Sequence, residues 1–150
     1  MSAPARSRSR SAARLAAVQA LYQQEMERTP VAMLLHEFHH HRLGATIEDV
    51  EYAEAEVDFF DDLVRGTSER KAELDQLISA RLAKGWALAR LDKPMLQILR
   101  VGAYELVARI DVPTATVISE HIDVAKAFYD NKEAAFVNGL LDAVAKDVRG

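Results

Sequence analysis

Residues 92–110 read DKPMLQILRVGAYELVARI. Apolar and small residues recur in this stretch at three- and four-residue spacing, namely Met95, Leu96, Leu99, Gly102, Ala103, Leu106 and Ile110. That spacing places them on one face of an α-helix. Pro94 fits the first turn of such a helix, and Pro113 prevents the helix from continuing. The stretch therefore predicts a helix beginning near Asp92, with one face in a core.

The same helical spacing continues on both sides of this stretch. It predicts helices over 11–26, 31–38 and about 48–66, one from Thr67 or Ser68 to Lys84, one from Thr114 or Thr116 to Phe128, and a last one after Asn131. Trp86 lies in a connection and is expected to pack on the core, because an exposed tryptophan is costly. Strand pairs and fixed-period repeats are not evident. The prediction is an all-α protein, a compact bundle of about seven helices.

The first ten residues differ in composition from the rest of the chain. They alternate arginine with serine around Pro4 and show no apolar periodicity, so they predict a flexible basic tail over residues 1–10. The remaining residues, 11–150, suit a single helical domain, since a chain of this length with 49% hydrophobic residues buries a sizeable core.

Cysteine content and hydropathy narrow the class of protein. The chain has no cysteine, which excludes disulfides, thiolate zinc sites and cysteine nucleophiles. Apolar runs stay well short of the roughly 18 residues of a membrane span, and the run that begins at Leu15 is interrupted by Gln19, too soon for a secretory signal. We expect a soluble cytoplasmic protein without a cofactor.

Charge is distributed unevenly along the chain, although the net charge is only −4. Residues 1–14 carry Arg6, Arg8, Arg10 and Arg14 and no acidic residue, whereas residues 48–62 carry eight acidic residues and no basic one. The first segment attracts phosphate and the second repels it. The acidic segment could be a carboxylate metal cage, but a solvated helix surface is the favoured interpretation.

The N-terminal arginines have the chemistry that RNA binding requires. Single-stranded RNA is held by cations at its phosphates and by planar groups against its bases, and arginine offers both. If helical, Arg10 and Arg14 share a face. Downstream, Gln19 could bond a base edge, and Tyr22 could stack on a base or pack in the core. The alternative is a basic tail that only aids solubility.

One stretch matches a zinc-protease pattern. Residues 36–40 read HEFHH, which fits H-E-x-x-H, where two histidines bind zinc and the glutamate activates a water. A catalytic site needs a third ligand, which the rest of the chain does not obviously supply, and Gly44 ends the stretch. Adventitious metal binding by the histidines is favoured over a functional metal site; they are His36, His39, His40 and His41.

Three segments together resemble the NusB family. Residues 13–22, ARLAAVQALY, resemble its opening helix, and residues 98–106, ILRVGAYEL, resemble its L-R-x-A-x-Y-E-L helix. Residues 112–142 contain VP, VISEHIDVAKAF and FVNGLLD, which resemble a third block of the family. The three cover about half the chain in the family's order.

The resemblance implies a seven-helix, two-part bundle that acts as a transcription antitermination factor and not as an enzyme. It implies binding of boxA, a single-stranded RNA element of ribosomal RNA leaders, and a heterodimer with NusE, a small-subunit ribosomal protein. That complex joins RNA polymerase and suppresses premature termination. Members are monomers or homodimers. The resemblance favours RNA binding by Arg6, Arg8, Arg10, Arg14, Gln19 and Tyr22.

Polar residues inside the family motifs are further candidates. Glu105, Glu120 and Asn138 could each be a buried hinge between helices or face a partner, and Tyr104 with Glu105 are the candidates for a partner surface. Gly139 is expected in mid-helix, where glycine costs about 1 kcal/mol relative to alanine, and close helix packing would explain it.

Three other functions compete with the adaptor hypothesis. The first is the RNA-recognition domain of a ribosomal RNA cytosine methyltransferase, against which the short chain argues because no catalytic domain follows. The second is a zinc hydrolase based on H-E-x-x-H. The third is a helical interaction protein that binds no RNA.

Overall fold

The computed structural model describes residues 2–39 and 54–150, with side chains from Ser9 to His39 and from Glu56 onward. Within these ranges there are seven α-helices, one 3₁₀ turn and no strand. They are α1 (Ser2–Glu27), α2 (Val31–Glu37), α3 (Glu54–Glu69), α4 (Lys71–Ser79), the 3₁₀ turn (Leu88–Arg90), α5 (Lys93–Ala108), α6 (Thr114–Phe128) and α7 (Asn131–Arg149). The predicted all-α fold of about seven helices is confirmed. Among these helices, none combines the length and the hydropathy needed to cross a membrane.

The chain divides into two compact units, unit 1 (Met1–Ser68) and unit 2 (Glu69–Gly150). In unit 1, α1 buries a stripe of small and apolar residues that includes Ala13, Ala17, Val18 and Leu21. At the end of α2, the Phe38 ring stacks on the Phe60 ring of α3 with centroids 5.8 Å apart. These rings and the α1 stripe form the apolar interior of unit 1.

Helix α1 begins nine residues before the predicted start at Ser11. A lack of apolar periodicity argues against core packing, but serine and arginine are compatible with a helix, so the pattern did not mark a helix boundary. The helix ends where Arg28 adopts a left-handed φ of 57° and donates its amide to the Gln24 carbonyl oxygen at 2.7 Å, before Pro30. Flexibility of residues 1–10 in solution stays a prediction.

Helix α5 is the centre of unit 2. Every residue from Met95 to Leu106 is buried, and α4, α6 and α7 all pack against the helix. The sequence predicted one buried face, but a helix surrounded by neighbours is buried all round. Gly102 allows close approach of α7, because a Cβ there would lie 2.8 Å from Leu141 Cδ1. Arg100 is accommodated by a bidentate ion pair with Asp75, at 2.8 and 2.9 Å.

Arg149, in the last turn of α7, forms hydrogen bonds with carbonyl groups at the end of α5 and in the loop that follows. Its guanidinium donates to the carbonyl oxygens of Leu106, Arg109 and Val112 at 2.8–2.9 Å, and to Thr114 Oγ1 at 3.0 Å. The final carbonyls of a helix lack partners within that helix, so Arg149 supplies one to Leu106 and adds hydrogen bonds to the carbonyls of the following loop. It also fixes the turn between α5 and α6.

Several predicted boundaries and burial assignments were wrong. Gly66 does not end α3, which continues to Glu69. Ile110 lies beyond the end of α5 and is 81% exposed, because the helix stops at Ala108 before the loop to Pro113. Trp86 is 56% exposed and does not pack on the core. The predicted start of the third helix near Glu48 lies outside the described residues.

Candidate nucleic-acid interface

Arg10 and Arg14 share a face of α1, as predicted, and both lie against Phe59 of α3. The guanidinium carbons of Arg10 and Arg14 lie 4.5 and 5.0 Å from the centroid of the Phe59 ring. Both distances are within the range of a cation–π contact. The aromatic partner of these arginines therefore belongs to the same chain.

Burial limits what the two arginines present to a ligand. Arg14 is only 2% exposed, and the Arg10 side chain is 22% exposed. Arg10 Nε lies 3.8 Å from Oε1 of Glu56, which is completely buried. In this conformation the Arg14 side chain is enclosed with an aromatic ring, and contact of Arg14 with RNA phosphates stays a prediction. Arg6 and Arg8 lie on α1, but their side chains are outside those described.

Gln19 and Tyr22 lie further along α1. Gln19 is partly buried. Tyr22 is 38% exposed, so it does not pack in the core, and part of its ring is accessible for stacking on a base. Met26, one turn later on the same face, is 57% exposed although the periodicity predicted burial. The end of α1 therefore carries an exposed apolar strip.

A cleft in unit 2 was not predicted from the sequence. Its volume is about 460 Å³, and it is lined by Leu82, Ala83, Trp86, Arg90, Leu91, Asp92, Met95, Tyr129, Lys132, Glu133 and Phe136. We call it the aromatic cleft. Trp86 and Phe136 are 56% and 38% exposed, and the Arg90 guanidinium carbon lies 5.7 Å from the centroid of the Trp86 ring. The sequence feature that could have indicated this cleft is a tryptophan in a connection between helices, four residues before an arginine.

Electrostatics in the aromatic cleft favour a neutral phenol at Tyr129. Burial raises the pKa of Tyr129 to about 12, and the nearby negative charge of Asp92 adds to this shift. The phenol is thus protonated at all physiological pH values. Exposed aromatic rings accompanied by Arg90 and Lys132 are the combination on which unstacked bases and phosphates of single-stranded RNA bind.

The motif residues proposed for a partner surface are buried. Glu105 is fully buried, with Oε1 2.9 Å from Nε2 of His121, which is also fully buried, and Tyr104 is 6% exposed. A side chain without exposed surface makes no contact with a partner in this conformation. The geometry therefore supports the alternative assignment of Glu105 as a buried polar hinge, here between α5 and α6. Asn138, in contrast, is exposed on α7.

Glu37 of the H-E-x-x-H pattern, and His39 at one of its x positions, contact residues of other helices. Glu37 Oε1 accepts a hydrogen bond from Gln23 Nε2 at 3.0 Å, and His39 Nε2 lies 2.6 Å from Asp61 Oδ1. His36 is exposed, while His40 and His41 lie outside the described residues. Over 2–39 and 54–150, no three or more potential metal-binding histidines or carboxylates cluster together.

Only part of the acidic segment is described. Asp58 is exposed, as a solvated helix surface requires, but Glu56 is completely buried. The expectation of a solvated surface is therefore wrong at Glu56, because this carboxylate lies beside Arg10. Residues 48–53 of the segment fall within the undescribed stretch.

The described residues form an all-helical protein whose exposed aromatic and cationic side chains are of the kind that RNA-binding proteins use. Residues 11–146 match the model of the NusB family. The chain belongs to this family, and it is a transcription antitermination factor.

Two curated relatives are similar over almost their whole length. The transcription antitermination protein NusB of Novosphingobium aromaticivorans is 70% identical, over 95% of this chain and 96% of the relative. That of Sphingopyxis alaskensis is 66% identical, over 96% of this chain and 97% of the relative. Nearly the whole of each relative is thus represented in this chain.

Solved structures share the fold. T. maritima NusB superimposes with a TM-score of 0.79 at 33% identity, covering 92% of this chain and 91% of that one. A chain from a complex of antitermination factors NusB and NusE with double-stranded RNA gives a TM-score of 0.77 at 25% identity, covering 93% and 98%. In that crystal structure a fold like this one occurs together with NusE and RNA.

Proposed function

We propose that the chain is a cytoplasmic binding adaptor without catalytic activity. It binds boxA-type single-stranded RNA, pairs with NusE and joins the RNA polymerase antitermination complex, where it suppresses premature termination in ribosomal RNA operons. The family membership and the NusB–NusE–RNA neighbour support this proposal.

The aromatic cleft is the observation that carries the RNA-binding part of the proposal. Single-stranded RNA is held by stacking of splayed bases on aromatic rings, at about 1–3 kcal/mol per base, and by cations at its backbone. Trp86 and Phe136 offer exposed rings, and the cations of Arg90 and Lys132 lie beside them together with the carboxylates of Asp92 and Glu133. A large exposed apolar surface rimmed by charges is typical of a ligand site.

Contacts of the H-E-x-x-H residues favour the adaptor over a hydrolase. Glu37 would have to activate a water in a zinc hydrolase, but its carboxylate holds α1 to α2 through Gln23. The zinc ligands of the pattern would be His36 and His40; His36 is exposed, and His40 lies outside the described residues. The methyltransferase alternative is disfavoured because the chain covers 96% of a relative that is itself an antitermination protein.

RNA binding is tested by titrating a fluorescently labelled boxA-like RNA with the wild-type chain and with Trp86→Ala. We expect Trp86→Ala to weaken binding about 5- to 150-fold, the loss of one stacked base. Ile110→Ala is the matched control, because Ile110 is also a large exposed side chain of unit 2 but does not line the aromatic cleft. Equal affinities of the two variants would refute the assignment of the cleft.

A further inference from the structure

Four side chains of unit 1 form a cluster that the proposed function does not explain. We call it the arginine cluster: Arg10 and Arg14 of α1, and Glu56 and Phe59 of α3. Phe59 is 1% exposed and Glu56 is fully buried, while the two guanidinium groups lie over the Phe59 ring. Two cations and one anion thus meet in a largely buried place.

The two arginines of the cluster are not equivalent. Arg14 is 2% exposed and serves as a structural cation within unit 1. Arg10 lies at the rim, with 22% of its side chain exposed, and its Nε is 3.8 Å from Glu56 Oε1. The exposed part of the Arg10 side chain can be reached from solvent, whereas Arg14 is enclosed.

A carboxylate and a phosphate are equivalent ligands for a guanidinium group. Both offer negatively charged oxygens that accept charge-assisted hydrogen bonds from its N–H edge. Glu56 belongs to the same chain, so it acts at a high effective concentration compared with RNA in solution. An RNA phosphate that approaches Arg10 must therefore compete with Glu56.

We propose that Glu56 is an internal competitor for the RNA backbone. Without RNA it holds Arg10 against α3, and this lowers the affinity of α1 for phosphates of any sequence. Because phosphate contacts position a strand without reading its bases, the competition selectively suppresses non-specific binding. RNA held elsewhere by its bases still recruits Arg10. This inference rests on the proposed RNA-binding function and concerns its regulation.

The experiment compares Glu56→Gln with Asp58→Asn. Both variants remove one negative charge from α3, but Asp58 is exposed and is not a member of the arginine cluster. The probe is a labelled oligouridine without a boxA sequence. Each variant is titrated into it at two salt concentrations, at a temperature below the melting temperature of every variant. We expect Glu56→Gln to bind about 2- to 5-fold tighter than Asp58→Asn, the effect of one freed charge pair. Its salt slope should be steeper by about 0.7.

A second pair of variants assigns the effect to Arg10. In the Arg10→Gln background, adding Glu56→Gln should leave oligouridine affinity unchanged, because the cation for which carboxylate and phosphate compete is absent. If Glu56→Gln does not fold, Glu56→Asp takes its place, since it retracts the carboxylate from Arg10 and should raise the affinity in the same direction.

Several results would overturn the inference. Equal affinities of Glu56→Gln and Asp58→Asn would show that only the net charge of the chain matters. Weaker binding by Glu56→Gln would show that Glu56 positions Arg10 for RNA and does not compete with it. An unchanged affinity of Glu56→Asp would contradict competition as well. The proposed function fails differently: the wild-type chain would then bind no boxA-like RNA, with or without NusE.

Discussion

The two units use the same pair of chemical groups in opposite ways. In unit 1, two guanidinium groups lie over Phe59, a ring that is 1% exposed. In unit 2, Arg90 lies beside Trp86, a ring that is 56% exposed. A buried ring contributes to stability, whereas an exposed ring with an adjacent cation has a free face for a ligand. Exposure, and not residue type, therefore distinguishes the structural pair from the candidate binding pair.

The largest expected difference is between Phe59→Ala and Trp86→Ala. Phe59→Ala should lower the free energy of unfolding by about 3–5 kcal/mol, because it leaves a cavity in the core. Trp86→Ala should lower it by about 0.5 kcal/mol or less, as surface substitutions usually do. Denaturant unfolding measures both values. A severe loss of stability in Trp86→Ala would contradict the contrast.

The same contrast applies to the cations. Arg14→Ala should lower the free energy of unfolding by about 2 kcal/mol, the value of a desolvated cation–π contact. Arg90→Ala should leave stability nearly unchanged and weaken boxA binding. Thermal unfolding and RNA titration of both variants test this. The comparison fails if Arg14→Ala is fully stable and loses only RNA binding.

Coupling between RNA and NusE sharpens the adaptor proposal. A chain of net charge −4 should bind RNA weakly on its own, so NusE must add surface. We expect NusE to raise boxA affinity about 5- to 150-fold, or 1–3 kcal/mol, and boxA to tighten NusE binding by the same factor. Titrations in both orders measure this. Identical RNA affinity with and without NusE would rule out the adaptor.

The smallest expected effect concerns two glycines in different surroundings. At Gly139, a Cβ would meet no atom within 4 Å, so Gly139→Ala should stabilise α7 by about 0.5–1 kcal/mol. At Gly102, a Cβ would approach Leu141 Cδ1 to 2.8 Å, so Gly102→Ala should destabilise unit 2. Thermal unfolding should show a higher melting temperature for Gly139→Ala and a lower one for Gly102→Ala. Helix packing, the predicted reason for Gly139, finds no support, since no atom of the described residues lies within 4 Å of a Cβ at this position.

Local features of the sequence predicted the helices but not the surfaces they present. The spacing of Leu96, Leu99 and Leu106 depends only on helical geometry, so α5 was predictable. Burial of Arg14 was not, because it depends on Phe59, which is distant in sequence and approaches only in the folded unit. Trp86 was misassigned for the same reason: composition favours burial of tryptophan, and only the tertiary structure shows that its ring remains exposed.

Trp86 fluorescence tests the central claim most directly, because Trp86 is the single tryptophan of the chain and lines the aromatic cleft. Titration of the wild-type chain with boxA-like RNA should quench this fluorescence saturably. The midpoint should match that of anisotropy of the labelled RNA, and it should move to higher RNA concentration when salt is added. Unchanged Trp86 emission, at RNA concentrations where anisotropy shows full binding, would contradict the claim that the aromatic cleft binds RNA.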